Sequence, residues 1–208
     1  MKKQFIFING WVPKENYKDY LDMLHTLKYN PYEENFLSWN KTLWEKLWED
    51  WEYLRAPLHD RDFADYEAWK IMFEKMIPFL NSEICLWAGS LGGSFVLKYL
   101  WENDGIPDPK TWKKIKIKKL FLIAAAVEDT PDEVMGSFAF DLEEVYTRVA
   151  RWCSEIYIYH STDDDIVPYE QSLLIKNYFP EAEFRTFHDR WHFYKEAELP
   201  ELIEDINN

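Results

Sequence analysis

Short apolar runs rich in β-branched and aromatic residues alternate with longer amphipathic stretches along the chain. Six of these runs predict β-strands, at residues 4–8, 53–57, 83–88, 118–126, 155–160 and 182–187. The run at 118–126 is almost continuously apolar, which is typical of a strand buried on both faces of a sheet. Because the strands alternate with helical patterns, their order predicts βαβ units and a parallel sheet.

Apolar residues at three- and four-residue spacing predict six helices, at residues 17–27, 65–76, 91–101, 142–152, 170–178 and 196–206. In the second of these, Trp69, Phe73 and Met76 share one face, and Pro78 follows the end of the pattern. Together the elements predict the α/β class: a three-layer α/β/α sandwich with a mostly parallel sheet of about six strands and right-handed connections. The length of 208 residues predicts a single domain, 1–208, since separate cores arise only beyond roughly 250 residues.

One segment exceeds what a minimal βαβ unit needs. Residues 30–51, between the first two predicted strands, contain Trp39, Trp44, Trp48 and Trp51. The last three lie at i, i+4 and i+7, and they predict an extra helix whose aromatic face packs on the sheet. The alternative is a lid or wall of a substrate pocket, because insertions often border active sites. The sequence leaves both interpretations open.

The charge balance argues against two classes of partner. The chain has 24 Lys and Arg residues against 38 Asp and Glu residues, a formal net charge of −14. This charge repels phosphate backbones and anionic membrane surfaces, so we predict neither a nucleic-acid nor a membrane partner. No apolar run approaches the ~18 residues of a membrane-spanning helix. Cys85 and Cys153 lie in apolar runs and predict buried free thiols, which is typical of a cytoplasmic protein.

Six lysines cluster between residues 110 and 119. Their position beside the most apolar predicted strand suggests a solvated lead-in that keeps this strand from aggregating. A docking patch for an acidic protein partner is the alternative, and its binding would be sensitive to salt. Nothing else in the sequence indicates a protein partner.

The glycines point to a specific local structure around Ser90. Three of the chain's six glycines, Gly89, Gly92 and Gly93, lie within three residues of this serine. They follow an apolar strand and precede a helical run, so Ser90 stands at the apex of a strand–turn–helix, as in a nucleophile elbow. Ala88 and Gly92, two residues before and after it, are small enough to let strand and helix approach. A plain helix N-cap is the alternative, while the phosphate- and dinucleotide-binding glycine patterns do not fit.

Two further loops carry the partners that a serine nucleophile requires. Three aspartates, 163–165, follow the fifth predicted strand, where the acid of a Ser-Asp-His triad belongs, and His192 follows the last one. Three consecutive aspartates also make an ordinary turn, and a lone loop histidine carries no signal by itself. The chain order of Ser90, an aspartate near 164 and His192, each just past a strand, predicts a catalytic triad.

Two other histidines are candidates for a metal site or for catalysis. His188 precedes His192 by four residues, a spacing that metals can use on a helix. No further ligand pattern accompanies it in the sequence, so we predict no metal site. His160, at the end of the fifth predicted strand, is expected to be packed or hydrogen-bonded rather than catalytic.

With these residues the sequence resembles the α/β-hydrolase superfamily, and within it the small single-domain serine hydrolases similar to retinoblastoma-binding protein 9. The resemblance rests on three motifs: Gly89-Ser90-Leu91-Gly92-Gly93, Ser161-Thr162-Asp163-Asp164 followed by Val167-Pro168, and His192-Phe193. Members of this group place the acid three residues before the Val-Pro pair, which selects Asp164 and leaves Asp163 as the fallback. The resemblance implies a compact sheet without a large cap, and it implies no cofactor.

The resemblance also implies an oxyanion hole and a reaction. The N–H of Leu91, just after the nucleophile, and one near Trp11, in the loop after the first strand, are the expected donors. Family members typically have Gly before the catalytic histidine, where this chain has Trp191. The implied activity is hydrolysis of an ester, thioester or amide of a small-molecule acyl substrate, with His192 as base and Asp164 orienting it. An acyltransferase and a non-catalytic binding protein on the same scaffold remain alternatives.

Overall fold

The computed structural model describes residues 2–10, 17–26, 43, 45–47, 49–58, 64–130, 134–194 and 198–208. Two predictions concern positions outside these ranges. One is the oxyanion donor near Trp11. The other is most of the insertion at 30–51, including Trp39, Trp44 and Trp48.

Strands and helices alternate along the described chain. The strands are β1 Lys3–Asn9, β2 Trp51–Arg55, β3 Glu83–Gly89, β4 Ile106–Pro107, β5 Lys114–Ile123, β6 Cys153–Ser161 and β7 Glu183–Phe187. The helices are α1 Tyr17–Thr26, α2 Tyr66–Met76, α3 Leu91–Glu102, α4 Leu142–Val149, α5 Glu170–Tyr178 and α6 Pro200–Asn207. Each of the six predicted strands and each of the six predicted helices has a counterpart among these elements, and some of the ends differ by a few residues.

The strands form a sheet in the order β2, β1, β3, β5, β6 and β7, and every neighbouring pair on this path is parallel. The short β4 pairs with β5 in the antiparallel direction and brings the number of strands in the described part of the chain to seven. Because parallel strands end at the same edge, the loops after β3, β5, β6 and β7 meet at the carboxyl edge of the sheet. That edge is where the candidate catalytic residues lie.

Alternate residues of the central strands bury two chemically different faces. On one face, aliphatic side chains such as Ile6, Leu86 and Leu122 pack with the inward residues of α2, α3, α4 and α5. On the other, aromatic side chains such as Phe7 and Phe121 pack with α6. Each fully buried side chain of this size stabilises the fold by about 1.5–3 kcal/mol. The two covered faces confirm the predicted three-layer α/β/α arrangement.

The predicted solvated lead-in at lysines 110–119 is wrong in part. The strand β5 begins at Lys114, four residues before the predicted start, so several of the lysines belong to the strand and not to a lead-in. Lys119 is 1% exposed, and its ammonium donates a hydrogen bond to the backbone oxygen of Asp205 in α6. A solvated role is therefore wrong for Lys119, because an apolar environment tolerates an ammonium only where acceptors replace its water.

Trp51 also differs from its prediction. It is the first residue of β2 and is 3% exposed, so it does not continue a helical face with Trp44 and Trp48. Its ring meets that of Phe5 edge to face, with the ring centroids 6.4 Å apart. Trp51 therefore belongs to β2, and its helical spacing from Trp44 and Trp48 is a coincidence. Among the described helices, none is both long and apolar enough to cross a membrane.

Candidate active site

Ser90 lies on a strained turn between β3 and α3. Its φ of 52° is in the left-handed region, which an L-residue other than glycine rarely adopts. Its backbone N–H donates to the oxygen of Ile123 at the end of β5, with a distance of 3.0 Å. The Ser90 side chain makes no capping hydrogen bond to α3 although it occupies the N-cap position. The hydroxyl is therefore not used as an ordinary helix cap.

Glycines allow the backbone to close around this turn. A Cβ on Gly92 would lie 2.5 Å from the backbone oxygen of Ile8, and a Cβ on Gly93 would lie 2.4 Å from the Cβ of Ala125. Both distances are far shorter than a normal contact. The helix α3 thus sits against the ends of β1 and β5 only because these two positions lack side chains.

We expect Gly92→Ala to lower the free energy of unfolding by about 1–3 kcal/mol, since the backbone of Ile8 cannot move aside as a flexible side chain would. Urea unfolding monitored by tryptophan fluorescence measures this change. The substitution should also weaken any reaction at Ser90, because α3 must shift to make room. An unchanged unfolding midpoint would show that the close approach of α3 to β1 is not required.

Asp164 is a fully buried carboxylate with four hydrogen-bonding contacts. Its Oδ1 accepts the backbone N–H groups of Ile166 and Val167, both at 2.9 Å. Its Oδ2 lies 2.8 Å from Nδ1 of His192 and 3.2 Å from Nε2 of His160. Burial acts to raise the pKa of Asp164, but the hydrogen bonds from the two histidines and the amides outweigh it. The pKa is therefore held well below its usual range, and the carboxylate is ionised.

This lowered pKa gives the protein an acid-sensitive contribution to stability. The unfolded Asp164 titrates near its ordinary value of about 3.9, so the ionised native carboxylate stabilises the fold above that pH. The contribution is lost as the pH falls through the unfolded and then the folded pKa. We expect the free energy of unfolding to fall between about pH 5 and pH 3 more steeply in the wild type than in Asp164→Asn, as measured by urea unfolding. Parallel curves for the two proteins would contradict this origin of the acid sensitivity.

The neighbouring Asp163 has a different set of partners. Its Oδ1 accepts hydrogen bonds from the hydroxyl of Ser161, at 2.5 Å, and from the backbone N–H of Trp191, at 3.1 Å. The hydroxyl of Ser161 also accepts from the backbone N–H of Arg190 at 3.1 Å. Asp163, the fallback for the acid, therefore contacts the backbone just before His192, whereas the contact to the imidazole itself comes from Asp164.

The loop that carries His192 has an unusual backbone at Trp191, where the sequence departs from the hydrolases that it resembles. Trp191 has a φ of 50° and Phe193 a φ of 58°, so the backbone on both sides of His192 is in the left-handed region. The resembled family has Gly before this histidine, and glycine adopts such a conformation without cost. In this chain a tryptophan adopts it, with its backbone N–H held by Asp163 and its side chain 41% exposed.

His192 is oriented by its contact with Asp164. Because the carboxylate is ionised and can only accept, the proton of the neutral imidazole belongs on Nδ1. The other nitrogen, Nε2, then carries a lone pair and can act as a base. The hydrogen bonds of the described residues join His192 to Asp164 but include none between His192 and the hydroxyl of Ser90. The complete triad therefore remains a prediction.

No family model and no curated protein matches the sequence. Solved structures do match over nearly the whole chain. The ydeN gene product from B. subtilis is 17% identical with a TM-score of 0.71, covering 99% of this chain and 97% of its own. Est1E from Butyrivibrio proteoclasticus is 16% identical with a TM-score of 0.58, covering 99% and 85%. The monoacylglycerol lipase of Paleococcus ferrophilus is 12% identical with a TM-score of 0.62, covering 98% and 91%.

The chain has the α/β-hydrolase fold. At these levels of identity the likeness extends to the fold alone. Because ligands of open α/β sheets bind at the carboxyl ends of the strands, the loops after β3, β6 and β7 lie where a site is expected.

A cleft opens beside Ser90 in this α/β-hydrolase scaffold. Its described lining is mostly apolar, with a few polar groups: Ser90, Leu91, Ala126, Glu128, Thr130, Val134, Met135, Val167, Pro168 and Gln171. The exposed Glu128 supplies the acidic group of this lining. The described lining therefore favours apolar groups without negative charge.

Gln171, in the first turn of α5, was not found by the sequence analysis. Its Oε1 accepts the backbone N–H groups of Val127 and Glu128 at 2.8 and 2.9 Å and so holds the loop after β5 against α5. No local sequence pattern marks such a glutamine, because its partners lie more than 40 residues away.

Leu91 is the first residue of α3. The N–H groups of the first helical turn have no acceptor within the helix, and they lie at the positive end of its dipole. The N–H of Leu91, next to the nucleophile candidate, is thus suited to an oxyanion. The second donor, predicted near Trp11, lies outside the described residues.

Proposed function

We propose that this protein is a serine hydrolase that cleaves a small ester, thioester or amide through an acyl-enzyme. The single observation that carries the proposal is the buried, ionised Asp164 hydrogen-bonded to Nδ1 of His192, at the sheet edge that also bears the strained Ser90. Burying a carboxylate lowers the stability of the fold unless the carboxylate is fully hydrogen-bonded. Here one of its hydrogen bonds orients His192, the proposed base.

The proposed reaction follows from these positions. His192 Nε2 takes the proton of Ser90 as the Oγ lone pair forms a bond to the acyl carbon, and the carbonyl electrons move onto oxygen. The N–H of Leu91, with a second donor near Trp11, stabilises this oxyanion. The carbonyl re-forms, the bond to the leaving group breaks, and the imidazolium returns the proton to it. Water, activated by the same His192, then releases the acid and regenerates Ser90.

The cleft indicates which substrates to try first. Its mostly apolar lining favours an uncharged acyl or leaving group, and Glu128 disfavours an anionic one. We propose neutral esters as the first class, with p-nitrophenyl acetate as the assay substrate. We also propose that, among α/β-hydrolases, the protein is most similar to the small serine hydrolases that resemble retinoblastoma-binding protein 9. The motifs around Ser90, Asp164 and His192 support this.

Two alternatives differ in observable ways. An acyltransferase would share every step up to the acyl-enzyme and would release it to another nucleophile in place of water. A binding protein on the same scaffold would use the cleft without turnover. The left-handed backbone at Ser90 favours an enzyme, because such strain costs of order 1–3 kcal/mol and is typical of functional sites.

Labelling with a fluorophosphonate tests the proposal. We expect the wild type to label, the modified peptide to contain Ser90, and labelling to disappear in Ser90→Ala and in His192→Ala. Ser94→Ala is the matched control, since Ser94 lies one turn further along α3 and its hydroxyl donates to the backbone oxygen of Ala126. This control should label as the wild type does.

Two results would contradict the proposal. A folded wild type that neither labels nor hydrolyses p-nitrophenyl acetate would favour the binding protein. Labelling that persists in Ser90→Ala would assign the nucleophile to another residue. Product analysis with and without an added alcohol separates a hydrolase from an acyltransferase.

A further inference from the structure

His160 is a second histidine at the carboxylate of Asp164. It is the penultimate residue of β6 and is completely buried. Its Nδ1 lies 2.6 Å from the hydroxyl of Ser172 in α5, and its Nε2 lies 2.9 Å from the backbone oxygen of Val167. The same Nε2 is 3.2 Å from Oδ2 of Asp164. Every polar atom of the ring therefore has a partner.

The partners determine where the proton of His160 lies. Nε2 faces a carbonyl oxygen and an ionised carboxylate, both of which only accept, so this nitrogen carries a hydrogen. Nδ1 faces the hydroxyl of Ser172, which can donate to its lone pair. His160 thus presents a fixed N–H to Oδ2 of Asp164.

We propose that His160 is a positioning residue that shares its Nε2 hydrogen between Val167 and Asp164 and so holds the Asp164 carboxylate in the orientation that His192 requires. This inference rests on the proposed function in that His192 is taken as the base. With His160 in place, Oδ1 accepts from two amides, and Oδ2 accepts from His192 and lies 3.2 Å from Nε2 of His160, so a rotation of the carboxylate would disrupt contacts at both oxygens. His160 reaches the reacting atoms only through Asp164.

Filling the core does not account for this residue. An aliphatic side chain would occupy the space and pack on the ring of Tyr169, whose centroid is 5.5 Å from that of the imidazole. It would leave the carbonyl of Val167, the hydroxyl of Ser172 and one site on Asp164 without their present partner. Three polar groups surround the buried ring: the hydroxyl of Ser172, the carbonyl of Val167 and the carboxylate of Asp164. A residue that only fills space in the core would not require them.

Two amide substitutions separate the two ring nitrogens. In His160→Gln the side-chain nitrogen lies near the position of Nε2 and can donate to Asp164. In His160→Asn the nitrogen lies near the position of Nδ1 and can reach Ser172 but not Asp164. The two variants are similar in size and polarity, so each controls for the other. His188→Leu is a further control, because His188 contacts Thr162 and not the carboxylate.

The experiment measures kcat and KM for p-nitrophenyl acetate and, by proton NMR, the far-downfield resonance of the hydrogen bond between His192 Nδ1 and Asp164. We expect His160→Asn to lower kcat about tenfold or more with KM unchanged, and to shift or broaden the resonance. His160→Gln should stay within about threefold of the wild type and keep the resonance. His188→Leu should change neither measurement.

Equal kcat values and an unchanged resonance in folded His160→Asn would overturn the inference, and so would identical losses in the glutamine and asparagine variants. If neither variant folds, Ser172→Ala takes their place: it frees the ring at Nδ1 and should broaden the resonance. A resonance unaltered in that variant would also overturn the inference. The resonance does not depend on turnover. A wild type that shows it but neither labels with the fluorophosphonate nor hydrolyses p-nitrophenyl acetate would refute the proposed function, and the resonance would still test the role of His160.

Discussion

Asparagine in place of Asp164 should lower kcat for p-nitrophenyl acetate by about 10³–10⁴-fold. The amide is nearly the same shape, but its nitrogen can face His192 and donate to Nδ1, which forces the imidazole proton onto Nε2. The base would then have no lone pair toward Ser90. The developing imidazolium would also lose the negative charge that stabilises it. Steady-state kinetics with circular dichroism of the folded variant measure the effect.

Asp163→Asn is the matched control for this prediction. Asp163 uses its Oδ1 to accept from Ser161 and from the backbone N–H of Trp191, and the amide oxygen of asparagine can accept both bonds. We expect kcat within about threefold of the wild type, corresponding to well under 1 kcal/mol. A large loss in Asp163→Asn with a small one in Asp164→Asn would assign the acid to the fallback residue.

Much of the fold was predictable because its strands bury apolar runs between helical patterns. β3 and β5 are central strands, and the apolar run in β3 and at the end of β5 marks both strands in the sequence. The short β4 was missed, since two residues form no detectable period. The start of β5 was missed because alternating lysines resemble a solvated segment. Only the tertiary contact of Lys119 with α6 shows why a lysine can lie in the sheet.

The candidate site was predictable where its residues follow strands in chain order. Ser90, Asp164 and His192 each lie in a loop just past a strand, so a linear pattern carries their positions. The positions of His160 and Gln171 carry no such pattern, because their roles depend on partners that only the folded chain brings together. The left-handed backbone at Trp191 was likewise not predictable, since tryptophan does not signal a positive φ.

Alanine in place of Asp205 should lower the free energy of unfolding by about 3 kcal/mol. This residue of α6 is 3% exposed and accepts two hydrogen bonds from the guanidinium of Arg185, at 2.5 Å each, and a third from the hydroxyl of Tyr159. Arg185 is partly exposed, which moderates the cost, but Tyr159 is buried and would lose its acceptor. Removing one partner of such a cluster costs more than the cluster contributes, because the remaining groups stay desolvated. Urea unfolding measures the change.

Glu204→Ala is the control, because the neighbouring Glu204 is exposed and its loss should stay within about 0.5 kcal/mol. The buried cluster joins α6 to β6 and β7, the two strands whose loops carry Asp164 and His192. Those loops also have contacts of their own, through Ser161 and Asp163, that do not involve α6. We therefore expect Asp205→Ala to keep its kcat at temperatures well below its unfolding midpoint. A loss of kcat in a variant that is still folded would show that the alignment of the active site depends on α6.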